Sequence, residues 1–254
     1  MLICLVPVAP IRLEPSHSSE MVTQLLFGEL CELLDKKEDF VKIKSVYDNY
    51  EGWCQATQLN TFEYSEPAQI ILAGEWGNQI SINGRAAMIP FGSSLSFLHG
   101  SKISLGNLNI EYDGAFILPK ENKWNAERIE QLTSKFLNSP YLWGGRSVFG
   151  IDCSGFTQLV FKCFNFYLHR DASQQVTQGE AIGFLQEAQA GDLAFFDNEN
   201  GKIIHVGILL NANFIIHASG KVRIDTIDSM GIVNSDTGKR THKLRIVKRV
   251  ASGI

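Results

Sequence analysis

The chain has 254 residues, 44% of them hydrophobic, and a formal net charge of −4. That length allows a catalytic domain with one or two small domains beside it. The mildly acidic balance excludes the basic stripe of a nucleic-acid surface, and no apolar run is long enough to span a bilayer.

In chain order, the opening Met1–Pro10 segment is apolar but lacks a positively charged start and is interrupted by Pro7 and Pro10. It reads as a first strand rather than a signal peptide. Thr23–Leu26, Cys31–Leu34 and Phe40–Lys44 partly alternate apolar and polar residues, the mark of half-buried strands. Phe27-Gly28-Glu29 and Tyr50-Glu51-Gly52-Trp53 resemble the hydrophobic-Gly-Glu turn and the late Tyr/Gly/Trp strand of bacterial SH3-like barrels, which implies one such barrel over residues 1–60. Phe91-Gly92-Ser93 echoes the first motif 64 residues on, and Tyr112-Asp113-Gly114-Ala115 echoes the second 62 residues on. Matching offsets in the same order predict a divergent second barrel over residues 61–118.

A polar stretch around Pro119-Lys120-Glu121-Asn122-Lys123 predicts a linker over residues 119–126, leaving residues 127–254 as the catalytic domain. Trp124, Arg128, Ile129, Leu132, Phe136 and Leu137 recur at helical spacing until Pro140. A second helical pattern opens at Cys153, with Phe156, Leu159, Val160, Cys163 and Phe164 on one face. Strands follow at Asp192–Asp197, Lys202–Leu210, Asn213–Ser219 and Lys243–Val250. Helices first and an antiparallel sheet afterwards predict an α+β domain.

The five cysteines, Cys4, Cys31, Cys54, Cys153 and Cys163, are odd in number and irregularly spaced, with no CxxC pair. Neither a disulfide framework nor a common structural zinc site is expected, nor any other cofactor. Cys4, Cys31, Cys54 and Cys163 sit among apolar residues and read as small buried hydrophobes. Cys153 differs. It follows a glycine-rich loop running from Trp143-Gly144-Gly145 to Gly150 and opens a helix, where free N–H groups and the helix dipole favour a thiolate and can hold an oxyanion. His205 and His217 flank a short loop, Leu210-Asn211-Ala212-Asn213. An odd-numbered hairpin loop puts both imidazoles on one face: directly opposite if centred on Asn211, diagonal if centred on Ala212. A two-residue loop would put them on opposite faces. Cys153 as nucleophile, His205 as general base and His217 as the residue that orients it form a triad.

Asp152-Cys153-Ser154-Gly155-Phe156, Gly191-Asp192-Leu193, His205-Val206-Gly207-Ile208 and His217-Ala218-Ser219, in that order, resemble the NlpC-type cell-wall peptidases. The resemblance covers about residues 124–254. It implies a papain-like α+β catalytic domain behind two small all-β SH3-like barrels, and hydrolysis of peptidoglycan stem peptides. The domain combination is similar to that of γ-D-glutamyl-L-diamino-acid endopeptidases acting on fragments with a free N-terminal L-alanine. In those, the first barrel closes one end of the cleft and its Tyr helps read the amine, a role that maps to Tyr50. The acidic partner of the amine is assigned to Glu14, with Glu29 next. Asp171 matches a substrate-binding Asp, although Ala172 stands where a Ser is expected; a helix cap is the plainer role for Asp171. Trp143, Asp152 and Ser154, along the loop and around the nucleophile, join the expected substrate-binding residues. The implied partners are L-Ala-γ-D-Glu-diamino-acid peptides, and the implied role is recycling, in the cytoplasm unless a signal has been removed. The competing readings are amide transfer on the same fold, a non-catalytic wall-binding protein, and a Cys/His/His zinc site.

Overall fold

The computed structural model describes residues 1–63, 67, 69–98, 100–105 and 107–251. They form two compact units, one from Met1–Asn122 with Trp143–Phe149, the other from Lys123–Leu142 with Gly150–Ile254. Among the described residues no helix is long and apolar enough to cross a membrane.

The first unit opens with strands β1 (Leu2–Cys4), β2 (Val8–Arg12), β3 (Met21–Leu26), β4 (Leu30–Lys37), β5 (Phe40–Ser45), β6 (Glu51–Gln55) and β7 (Leu59–Thr61). They make one antiparallel sheet in the order β3-β2-β6-β5-β4-β1-β7. Alternation drives it: Cys4, Ala9, Ile11, Leu25, Cys31, Ile43 and Cys54 turn inward and are buried, and burial pushes the Cys31 and Cys54 thiols up to about 12. The β3–β4 turn is Phe27-Gly28-Glu29. Gly28 has a φ of 78°, open to glycine at little cost, and a Cβ there would meet the Ser94 carbonyl oxygen. Glu29 folds back so that its carboxylate accepts from the Leu26 N–H at 2.9 Å.

Residues beyond this sheet form β8 (Leu72–Ala73), β9 (Gly77–Ile82), β10 (Arg85–Pro90), β11 (Lys102–Leu105), β12 (Leu108–Glu111) and β13 (Phe116–Ile117). They pair as a four-stranded sheet, β10-β9-β12-β11, and a β13–β8 ladder. The predicted echo of the first sheet is partial. Gly92 has a φ of 77°, and its N–H donates to the Ala73 carbonyl as that of Gly28 does to Cys4. Tyr112–Ala115 departs from its counterpart: Glu51–Trp53 lie within β6, whereas Tyr112 follows β12 and its phenol donates to Asn78 and the Ala115 carbonyl. Among the described residues the seven-stranded order of the first sheet is not repeated. The two sheets share one core, in which Ile3, Phe27 and Phe62 pack with Ile80, Ile89, Phe97 and Ile110. Burying each such side chain stabilises the unit by roughly 1.5–3 kcal/mol. A short strand, β14 (Arg146–Ser147), belongs to the same unit.

The second unit contains α1 (Ala126–Ser134), β15 (Gly150–Ile151), α2 (Cys153–Lys162), α3 (Ala172–Gln175), and strands β16 (Glu180–Ile182), β17 (Leu193–Asp197), β18 (Ile203–Leu209), β19 (Phe214–Ser219), β20 (Lys221–Asp228), β21 (Gly231–Val233) and β22 (Arg240–Arg249). Asn125 caps α1 by accepting from the Arg128 N–H. The helix ends at Ser134 rather than running to Pro140, and Leu137 lies exposed beyond it. α2 is buried all round, and its polar side chains bond inside the unit, Thr157 to Gln175 and Gln158 to the Leu168 carbonyl. Its far end meets an aromatic cluster, Trp124 with Phe161, Phe164 and Phe166. Gly191, with a φ of 94°, lies against Trp124 where no Cβ fits.

The sheet runs β16-β22-β17-β18-β19-β20-β21, and β21 also pairs with β22. The long β22 makes this closure: Arg240, His242 and Lys243 face β21, while Lys243–Lys248 face β17. Strands distant in the chain therefore come together around one interior.

Candidate active site

Cys153 is the first residue of α2. Asp152 precedes it as N-cap, accepting from the Gly155 N–H at 2.7 Å. Arg170 grips the same carboxylate with two nitrogens, at 3.0 and 2.6 Å, and also reaches the Ser154 hydroxyl at 3.0 Å. All three side chains are buried. Asp152 and Ser154, both among the expected substrate-binding residues, tie the helix start to Arg170. The pair survives burial because both charges are hydrogen-bonded. Reading the sequence singled out Asp171 and passed over Arg170, since nothing local distinguishes a buried Arg from a solvated one.

Asp171 occupies the N-cap position of α3. Its carbonyl accepts from Gln174 and Gln175, but its side chain makes no capping bond. Ala172, at the position expected to hold Ser, is buried.

His205 lies on β18 and His217 on β19. The ladder pairs Ile208 with Ile216 and Leu209 with Ile215, and Leu210 N–H donates to the Phe214 carbonyl. The hairpin therefore centres on Ala212, and the histidines are diagonal neighbours. His205 Nε2 and His217 Nδ1 are 2.8 Å apart, with both rings buried. On its far side His217 Nε2 lies 3.0 Å from Asp225 Oδ2 on β20. Two further rings crowd His205, Phe196 from β17 and His242 from β22. Neither Asp225 nor His242 was singled out in the sequence. A strand pattern that includes β20 brings alternate residue Asp225 inward, but no spacing in the chain announces that β22 returns to β21.

The thiol of Cys153 is hydrogen-bonded by the backbone at Val206, the residue after His205. Burial, reinforced by the Asp152 carboxylate, raises the thiol to about 12, against the pull of the Val206 and Ser154 backbone and the Arg170 guanidinium. Desolvation thus works against the thiolate that the helix start favours. His205 is lowered well below its ordinary value by burial and by the His217 and His242 rings. Both shifts favour the uncharged forms, a thiol and a neutral imidazole, from which the proton can pass as the sulfur attacks. Tyr141 shares this environment; burial and the nearby Cys153 and Asp152 raise its phenol to about 12. Among the described residues no group of three His, Cys, Asp or Glu is arranged to hold a metal ion.

The other expected residues belong to the N-terminal unit. Tyr50 is half-buried just ahead of β6, its N–H donating to Asp48. Glu14 is exposed in the turn after β2. Trp143 is exposed, with its indole N–H donating to Glu20 at 2.6 Å. Glu29, the second choice for the amine, is buried and committed to Arg146 by two bonds of 2.8 and 3.1 Å. It is a structural ion-pair residue, and the buried partner raises the Arg146 guanidinium further despite desolvation.

Two family profiles match the chain: the NlpC/P60 family over residues 138–241 and the bacterial dipeptidyl-peptidase Sh3 domain over residues 11–59. The chain is 29% identical over 214 residues to gamma-D-glutamyl-L-lysine dipeptidyl-peptidase of Bacillus subtilis, covering 77% of this chain and 71% of that one. It is 25% identical over 256 residues to the Bacillus cereus protein of the same name, covering 89% and 77%. Among solved structures, an NlpC/P60 family protein from Bacillus cereus matches with a TM-score of 0.83 at 21% identity, covering 98% of this chain and 99% of that one. That likeness bears on the fold.

Proposed function

We propose that this chain, which matches the NlpC/P60 family over residues 138–241 and the bacterial dipeptidyl-peptidase Sh3 domain over residues 11–59, is a cysteine peptidase that hydrolyses the bond between γ-linked D-glutamate and the next L-diamino acid in peptidoglycan-derived peptides with a free N-terminal L-alanine. The observation that carries the chemistry is the buried His205–His217 pair, bonded at 2.8 Å, beside a thiol at the start of α2. The choice of bond is supported by the names of the relatives, which are dipeptidyl-peptidases acting at gamma-D-glutamyl-L-lysine.

In the proposed reaction the Cys153 sulfur attacks the glutamyl γ-carbonyl as its proton passes to His205. N–H groups at the start of α2 stabilise the oxyanion. The C–N bond breaks, and His205 returns the proton to the leaving diamino-acid nitrogen. Water, deprotonated by His205, then attacks the thioester and regenerates the thiol. His217 holds the His205 ring throughout. Tyr50 and Glu14 are assigned to the substrate amine on the family resemblance alone. Peptides with a free amine arise after the wall has been cut, so the role assigned is recycling of fragments, in the cytoplasm.

Incubation with L-Ala-γ-D-Glu-L-Lys and with the diaminopimelate peptide, followed by mass analysis, tests the reading. L-Ala-D-Glu and the free diamino acid are expected. Cleavage elsewhere in the stem would remove the bond assignment, and transfer to an added amine in preference to water would favour the amide transferase.

A further inference from the structure

The relay beyond the two histidines ends on a carboxylate, and a carboxylate can only accept. Burial alone would raise the Asp225 carboxyl. Hydrogen bonds from His217, Arg223 and the Ser235 N–H outweigh it and hold the group well below the usual carboxylate range. Asp225 is fully enclosed, with Arg223 Nε on Oδ2 at 2.9 Å, Arg223 Nη2 on Oδ1 at 2.8 Å and the Ser235 N–H on Oδ1 at 2.8 Å. Arg223 also pairs with Asp236 at 2.9 Å.

Because Oδ2 accepts, His217 must carry its proton on Nε2. In the neutral ring Nδ1 is then bare and can accept from His205 Nε2–H. That leaves His205 Nδ1 as the nitrogen able to take a proton from the thiol. A neutral imidazole has two tautomers, and nothing in the two rings themselves selects between them. We propose that Asp225 is a positioning residue of the active site: through His217 it sets the tautomer of His205, and Arg223 and Ser235 keep it in the position to do so.

The Asp225→Asn variant tests this sharply. Its amide oxygen keeps two bonds, from Arg223 and Ser235, if it occupies the Oδ1 position. The NH2 group then loses the Arg223 Nε bond made to Oδ2 and faces His217 Nε2, which must become an acceptor. The His217 proton moves to Nδ1, and the His205 proton is driven to its own Nδ1, blocking the base.

This inference rests on Cys153 and His205 being nucleophile and base. A test that needs no turnover keeps the two apart: ring-nitrogen NMR of histidine-labelled protein, with Cys153→Ala as an inactive control expected to keep the same pattern. In the wild type, both His217 and His205 are expected to be protonated on Nε2. In Asp225→Asn, the His217 proton is expected on Nδ1, with kcat lower by roughly 10²–10⁴-fold and KM little changed. Wild-type protein with His217 protonated on Nδ1 overturns the proposal, and this measurement decides even if the variant does not fold. A folded Asp225→Asn that loses rate with unchanged ring shifts also overturns it, in favour of a structural role.

Discussion

His242 lies flat against His205, with ring centroids 4.2 Å apart and planes inclined by 25°. The contact exists because β22 returns to pair with β21, His242 opposite Ile232. Burial first, then the His217 ring, lowers His242 to about 4, while Asp225 pulls the other way. Both shifts favour uncharged rings in the stack, and a proton on His242 disfavours one on His205. His205 is also faced by His217 from β19 and by Phe196 from β17, and the backbone of the next residue, Val206, bonds the Cys153 thiol. Replacing His242 with Phe keeps a flat ring and removes a titratable neighbour that depresses His205. The base works deprotonated, so its acid limb lies below the ordinary histidine value in the wild type. In His242→Phe the acid limb of kcat/KM is expected to move to higher pH. An unmoved limb would mean that His242 only fills space.

Cys153→Ala is expected to abolish turnover of L-Ala-γ-D-Glu-L-Lys while the far-ultraviolet circular dichroism stays that of the wild type, since alanine suits a helix start. His205→Ala is expected to lose roughly 10²–10⁴-fold in kcat, the usual range for a general base. Substantial turnover by the cysteine variant would exclude it as nucleophile.

Acid should destabilise the fold through the same histidines. His205 and His242 have folded-state values below the unfolded 6.5, so below that pH the unfolded chain binds protons that the folded chain refuses. Stability is unaffected by them above 6.5 and falls as the pH drops toward 4, by about 1.4 kcal/mol per pH unit for each proton taken up. Asp225, depressed below 3.8, contributes stability above that value and loses it only at still lower pH. The urea midpoint is expected to fall between pH 7 and pH 4.5, and to fall less in His242→Phe. Equal slopes for wild type and variant would count against a neutral His242.

The Arg170–Asp152 pair offers a third handle. Arg170→Met strands a buried carboxylate at the start of α2. The expected loss is about 3–5 kcal/mol, read as a drop in the denaturant midpoint. Adding Asp152→Asn should recover much of it, because the asparagine still caps α2 without a charge. A double variant no more stable than Arg170→Met would show that the ion pair is not what secures this helix.

The amine requirement is separable from the chemistry. Acetylating the L-alanine of the peptide should reduce kcat/KM by about 10²-fold or more, because a site built for an ammonium leaves its own polar groups unpaired when the charge is blocked. Equal turnover of free and acetylated peptides would remove the dipeptidyl assignment and leave the peptidase intact.

Chemistry and topology were not equally legible in the chain. The α2 start could be read because Asp152, Cys153, Ser154 and Gly155 are consecutive and their capping geometry is local. The His205–His217 contact could be read because a hairpin with an odd loop fixes which faces its strands share, and here it centres on Ala212. Glu29 was misjudged as a possible ammonium partner because its bond to Arg146 joins residues 117 apart in sequence. The second half of the N-terminal unit followed its echo at Gly92 but not at Tyr112, where a few shared residue types do not carry a strand register.

By itself the sequence determined which residues could do chemistry here: a cysteine opening a helix, a hairpin with two inward histidines, and apolar alternation enough to bury them. Tertiary structure decided what surrounds them. The closure of β22 on β21 brings His242 onto His205, β20 carries Asp225 to His217, and Arg170 reaches back to Asp152. Proton affinity depends on burial and on charges a few ångströms away in space, and those distances are set by strand pairing between residues far apart in the chain.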